Sequence, residues 1–120
     1  MAGIASGFDP ERDKAWIAER NGTVLGSVFL VRQSEYVAKL RLLIVDPAGR
    51  GLRIGGALVN ACTQAAQIWG VQRITLWTHA ILLGARRIYA ATGYRLIKTE
   101  RIQEFGLTLE SETWELDLPF

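Results

Sequence analysis

The stretch that decides the fold is Val45-Asp46-Pro47-Ala48-Gly49-Arg50-Gly51-Leu52-Arg53-Ile54-Gly55-Gly56-Ala57-Leu58. It leaves a strand-like run, residues 35–45, crosses a loop rich in glycine and arginine, and enters a segment with helical spacing. There Ile54, Leu58, Ala61, Cys62, Ala65, Ile68 and Trp69 recur three and four apart, and Gly70 follows as a stop. That pattern predicts an amphipathic helix. The first turn of a helix leaves about four backbone N–H groups without intrahelical partners, and the aligned peptide dipoles add partial positive charge. Gly51, Gly55 and Gly56 let a ligand approach the backbone, while Arg50 and Arg53 add full charges. The segment therefore reads as a cradle for a pyrophosphate-like anion. It has no Gly-Lys-Ser/Thr ending of a Walker loop, and no G-x-G-x-x-G follows an early strand as in a dinucleotide fold.

Outward from this cradle, strand and helix signals alternate. Residues 13–19 and 24–31 flank Asn21-Gly22, a two-residue hairpin signal. Asp46-Pro47 ends the run 35–45. On the other side, residues 71–78 set Ile74, Leu76 and Thr78 against Thr75 and Trp77, a strand expected to be covered on both faces. Residues 82–91 read as a short helix stopped by Gly93. Two last strands, 94–98 and 112–118, are joined around Phe105-Gly106. The order β-β-β-α-β-α-β-β predicts an α/β (α+β) fold in one domain spanning residues 1–120.

Two motifs carry a specific resemblance. Arg50-Gly51-Leu52-Arg53-Ile54-Gly55-Gly56-Ala57-Leu58 resembles the acetyl-CoA motif of the GNAT superfamily of N-acetyltransferases, Arg/Gln-x-x-Gly-x-Gly/Ala. Ala85-Arg86-Arg87-Ile88-Tyr89-Ala90-Ala91-Thr92-Gly93-Tyr94 is similar to that family's A-x-x-hydrophobic-Tyr-x-x-x-Gly-Phe/Tyr signature. With Thr75-Leu76-Trp77-Thr78 and Thr113-Trp114-Glu115-Leu116, the chain further resembles the acetyltransferase half of MarR-type regulator–acetyltransferase fusion proteins. The resemblance implies a mixed, mostly antiparallel twisted sheet with a β-α-β-α core. It also implies acetyl-CoA as co-substrate. Backbone amides of Arg50, Gly51, Leu52, Arg53, Ile54, Gly55 and Gly56 would hold the CoA pyrophosphate. Backbone groups of Leu43, Ile44 and Val45 would pair with the pantetheine arm in a gap between strands 35–45 and 71–78. Ala85 and Tyr89 join the cofactor-binding positions, and Tyr89 is the expected general acid for the leaving thiolate, a phenol donating to a thiol of lower pKa. The implied activity is transfer of acetyl to a primary amine of a small molecule or peptide by direct attack. The alternative is a CoA-binding module without turnover, a sensor or interaction subunit.

The sequence departs from the family pattern in several places. Arg53 stands where glycine is usual, and is expected to adopt an α-like conformation. Leu82 stands where asparagine is usual, and Lys39 and Arg41 stand where a carboxylate base is common; Glu35 is the nearest upstream carboxylate. Only residues 1–12 precede the first hairpin, so the family's first strand and two helices are expected to be lacking. A homodimer, or a complex with another chain, is expected to cover what they would cover.

Composition excludes other classes. Hydrophobic residues are 49% and charged residues 22% of 120, which argues against disorder. No apolar run reaches the ~18–20 residues of a membrane helix, and the first ten residues do not read as a secretion signal. One cysteine, Cys62, and one histidine, His79, are too few for a disulfide or a structural zinc site, so no metal and a cytoplasmic location are expected. Cys62 lies on the apolar face of its helix, and His79 reads as a loop or capping residue. Net charge is +2, and lysine and arginine form no stripe with interleaved aromatics, so no nucleic-acid partner is expected. Arg86 and Arg87 read as a solvated helix face, with the CoA 3′-phosphate as the sharper assignment.

Overall fold

The computed structural model describes residues 12–49 and 51–118. Strands β1 (Asp13–Arg20), β2 (Thr23–Arg32) and β3 (Val37–Val45) come first, then a 3₁₀ turn at Pro47–Gly49 and helix α1 (Ile54–Trp69). Strand β4 (Arg73–His79), helix α2 (Leu83–Ala91) and strands β5 (Arg95–Glu104) and β6 (Leu107–Asp117) complete the chain. The observed order is the expected one. All strands join one six-stranded sheet in the order β1-β2-β3-β4-β6-β5. Every pairing is antiparallel except β3 with β4.

Turn chemistry explains both hairpins. Asn21 and Gly22 have φ of 53° and 80°, and Phe105 and Gly106 have 52° and 76°. Two consecutive left-handed residues make the tight turn that matches strand twist. Between β2 and β3 the reversal is longer: the Ser34 hydroxyl accepts the N–H groups of Tyr36 and Val37 at 3.2 and 3.1 Å, so β3 starts two residues later than the sequence pattern implies.

The core lies on one face of the sheet, under α1. Val28 and Leu30 of β2, Ala38 and Leu40 of β3, and Ile74 and Leu76 of β4 alternate inward and meet Leu58, Val59, Cys62, Ala65 and Ala66 of α1. Each large aliphatic side chain so buried stabilises the fold by roughly 1.5–3 kcal/mol over exposure. The expectation that both faces of β4 are covered does not hold. Ile74, Leu76 and Thr78 are buried, but Trp77 on the opposite face is 47% exposed. Strands β5 and β6 are also longer than their expected cores at 94–98 and 112–118. Their outer arms pair with each other as far as Glu104 and Leu107.

Candidate functional site

Strands β3 and β4 are paired at three positions only, Val37 with Arg73, Ala38 with Ile74 and Lys39 with Thr75. Beyond these they diverge. Residues 40–45 of β3 continue against β2, and residues 76–79 of β4 continue against β6, so two strand edges face each other across a gap. A bulge marks where β3 leaves. Pairing runs Ser27 with Ile44 and Phe29 with Arg41, which sets Leu42 and Leu43 both opposite Val28. Leu42 adopts φ of 55°, a left-handed conformation that costs a non-glycine residue about 1–2 kcal/mol. Local strain of this kind concentrates at functional sites.

The expected pantetheine-pairing residues Leu43, Ile44 and Val45 lie on the β3 edge of this gap. At its end the chain turns into α1. Asp46 holds the corner: its carboxylate accepts the Ala48 N–H at 2.9 Å, its carbonyl accepts the Gly49 N–H at 2.8 Å, and its own N–H donates to Leu25 O at 2.8 Å. Gly49 is buried, and a Cβ there would lie 2.8 Å from the Leu25 carbonyl oxygen, so only glycine fits. Gly51 takes φ of 81°, and a Cβ on it or on Gly56 would meet nothing within 4 Å. Among the described residues, the space beside these two glycines is open. Leu52, Arg53, Ile54, Gly55 and Gly56 follow into the first turn of α1. Arg50 lies outside the described residues.

The conformation of Arg53 differs from expectation. It is the residue before α1, with φ 59° and ψ 27°, left-handed rather than α-like. The turn demands positive φ whatever residue occupies it, and arginine adopts that conformation at a cost of about 1 kcal/mol. A guanidinium has no acceptor, so the Arg53 side chain cannot cap the helix, and it makes no capping hydrogen bond.

Helix α2 packs on α1 through Ile88 and Gly55 and carries Ala85 and Tyr89. Tyr89 is 4% exposed and rests against Tyr94 and Trp114, with ring centroids 5.8 and 6.2 Å away. Burial, with a smaller contribution from Cys62, pushes its phenol up to about 12. The phenol thus stays protonated across the working pH range.

The family model for the GNAT acetyltransferase family matches residues 4–94. The chain belongs to the GNAT acetyltransferase family.

Individual relatives agree. A mycothiol acetyltransferase of Sanguibacter keddieii is 32% identical over 84 residues, which is 65% of this chain and 27% of that protein. An uncharacterised N-acetyltransferase of Mycobacterium tuberculosis is 28% identical over 88 residues, 73% of this chain and 56% of the relative. The chain therefore spans about a quarter and about half of these two proteins. Among solved structures, a GNAT family acetyltransferase from Elizabethkingia anophelis with acetyl-CoA bound superposes with a TM-score of 0.74. It is 17% identical, and the match covers 90% of this chain and 78% of that one. The shared feature is the GNAT fold.

Three further side chains locate themselves against this GNAT frame. Arg86, expected on a solvated helix face, is partly exposed and paired. Its Nε donates to the Glu112 carboxylate at 2.9 Å, and Glu112 is only 3% exposed. The sequence carried one signal for this carboxylate: Glu112 has the same parity as the inward-facing Trp114 and Leu116, so alternation points it into the core. His79 is the last residue of β4 rather than a loop residue. Its ring meets that of Trp77 edge-on at 4.8 Å, and its carbonyl accepts the Leu82 N–H at 3.0 Å. A cleft of about 450 Å³ opens there, between His79, Arg86 and residues 108–110. Cys62 is fully buried in the core, which pushes its thiol up to about 12, a packing residue with no nucleophilic character.

Proposed function

We propose that this chain is an N-acyltransferase that moves acetyl from acetyl-CoA to a primary amine of a small molecule or peptide. The observation that carries the reading is the divergence of β3 and β4 after Lys39 and Thr75, with the glycine-lined start of α1 at its mouth. Backbone amides of residues 50–56 would grip the pyrophosphate. The free edge at Leu43, Ile44 and Val45 would pair with the pantetheine arm, with Ala85 and Tyr89 across from it. The acceptor nitrogen forms its bond to the thioester carbon as the carbon–sulfur bond breaks, and the nitrogen's surplus proton leaves through ordered water. Tyr89 donates to the departing sulfur. With its phenol near 12, complete transfer to a thiolate of ordinary pKa is uphill by roughly 5 kcal/mol. The hydrogen bond itself therefore supplies most of its effect.

No helix of the described residues is long and apolar enough to cross a membrane, and a single buried thiol fits a reducing cytoplasm. Leu42, Ile44 and Trp77 are 61%, 58% and 47% exposed, which supports a homodimer or a second chain over this side of the sheet. Kinship with MarR-type fusion proteins belongs to the same reading.

Calorimetry with CoA, followed by a thiol-release assay over a panel of amines, tests the proposal. Binding with turnover supports it. Binding without turnover across the panel favours a CoA-sensing module, a reading that the exposed, uncapping Leu82 at the start of α2 supports. No saturation at millimolar CoA overturns both.

A further inference from the structure

Glu112 is a carboxylate on the core face of the sheet, opposite Thr78 of β4. A buried charge is costly to a fold unless it is paired and hydrogen-bonded, and an apolar side chain of similar volume usually serves stability as well. Its presence therefore calls for a reason besides stability.

The partners supply one. Glu112 Oε1 accepts the Arg86 Nε hydrogen at 2.9 Å and the Trp114 indole N–H at 3.1 Å. Arg86 lies one turn before Tyr89 on α2, so the two share a face of the helix. Trp114 lies two residues beyond Glu112 on β6, on the same face of the sheet, and its ring is one of the two surfaces on which Tyr89 rests. One oxygen thus holds both the helix that carries Tyr89 and a ring that Tyr89 leans on.

Beyond the packing of Ile88 on Gly55 and of Tyr89 in the core, α2 has few polar ties. It is nine residues long, its N-cap Leu82 makes no side-chain capping bond, and Tyr89 is its one buried residue. Among the described residues, Arg86 to Glu112 is the only side-chain hydrogen bond joining α2 to the sheet.

We propose that Glu112 is a positioning residue for Tyr89, setting the place of its hydroxyl through Arg86 and Trp114 together. Glu112 itself touches no substrate. The inference rests on the acyltransferase reading for its kinetic consequence, and on geometry alone for its structural one.

The test is a kinetic and spectroscopic cycle with Glu112→Gln, Tyr89→Phe and the double variant. Gln keeps the volume but removes the charge that orients Arg86. In folded Glu112→Gln the expected result is a fall in kcat of about tenfold, with KM for acetyl-CoA within twofold of the parent. On the Tyr89→Phe background the same change should cost less than twofold, because the hydroxyl it positions is already gone. The near-UV circular dichroism of the aromatic cluster should weaken while the far-UV spectrum is kept. Equal losses on both backgrounds, or an unchanged kcat and near-UV spectrum, overturn the proposal. Where Glu112→Gln does not fold, Arg86→Gln enters the same cycle with the same expectations. Absence of turnover in the parent chain defeats the acyltransferase reading instead, and the near-UV arm then still decides whether Glu112 orders the cluster.

Discussion

Gly55 of α1 sits directly against Ile88 of α2, with no room for a side chain between them. A Cβ on Gly55 would overlap Ile88 Cδ1 and would lie 3.4 Å from Val45 Cγ2. The start of the cradle helix, the end of β3 and the helix carrying Tyr89 thus converge on one missing methyl group.

This closeness gives a stability prediction with its own control. Gly55→Ala gains up to about 1 kcal/mol in helix propensity but overpacks the contact by about 1–3 kcal/mol. We expect a net loss of about 1 kcal/mol. Ile88→Val removes the overlapping Cδ1 and by itself costs about 0.5–1.5 kcal/mol. Combined, the two should be less destabilising than the sum of the singles, because the valine vacates the space that the alanine fills. Urea denaturation of the four proteins checks this, and simple additivity would show that the helices do not meet here.

Gly56, the next residue, has open space on its Cβ side. Gly56→Ala should therefore stabilise the fold by up to about 1 kcal/mol. On the proposed reading, in which the amides of residues 50–56 hold the pyrophosphate, the added methyl group crowds the ligand, so CoA affinity should fall by several fold. A more stable protein that binds its ligand less well is the expected signature of a glycine kept for close approach. Thermal unfolding and calorimetry measure the two effects separately. Undiminished CoA affinity in the stabilised variant would remove Gly56 from the site.

Much of this architecture was legible in the sequence, for reasons visible at particular residues. Period-two alternation at Ile74, Leu76 and Thr78 and the three-and-four spacing of Leu58, Cys62 and Ala65 record one-sided burial, and one-sided burial is what the fold uses there. Ile68, expected on the same stripe, is instead 81% exposed, and Val59 and Ala66 take the buried positions. The outer arms of β5 and β6 were not legible. Residues 99–104 are mostly polar, and their strand is held by cross-strand partners such as Arg101 with Glu110 rather than by an apolar face. The left-handed Leu42 left no mark either, because positive φ imposed by tertiary context does not require glycine. At Arg53 the one signal was that the resembled family has glycine there, and the structure gives the left-handed conformation that glycine favours. The Arg86–Glu112 pair spans 26 positions, and no local pattern reports a contact of that range.

Arg53 separates conformation from charge. Arg53→Gly relieves the left-handed strain, whereas Arg53→Ala keeps a Cβ and so keeps the strain. The glycine variant should be more stable than the alanine variant by about 0.5–1 kcal/mol. Both lose the same charge, so both should bind CoA more weakly and by similar factors, with the difference from the parent shrinking as salt screens the phosphates. Equal stabilities for the two variants would mean that the turn relaxes around residue 53.

The core also sets an alkaline limit. Burial pushes Cys62 up from 9.0 to about 12 and Tyr89 up from 10.0 to about 12, and it raises Tyr94 well above its ordinary value. Each group is neutral when folded and ionises at its ordinary value once the chain opens, so the unfolded state holds fewer protons above that value. The sign follows: these groups leave stability intact below about pH 9 and reduce it as pH rises toward the folded-state values. Cys62 alone contributes a slope of about 1 kcal/mol per pH unit between 9 and 10, and with both tyrosines the slope climbs to roughly 3–4 kcal/mol per unit near pH 11. Tyr94 offers the discriminating variant, because its buried hydroxyl finds no hydrogen-bond partner among the described residues. Tyr94→Phe removes a hydroxyl whose desolvation no described residue offsets, so stability at pH 7 should be equal or higher by about 1 kcal/mol. The alkaline slope above pH 10 should fall by about a third, since one of three released protons is gone. Urea midpoints from pH 7 to 11.5 for parent and variant measure both effects, and a parent profile that stays flat through pH 11 would show that water reaches these groups in the folded protein.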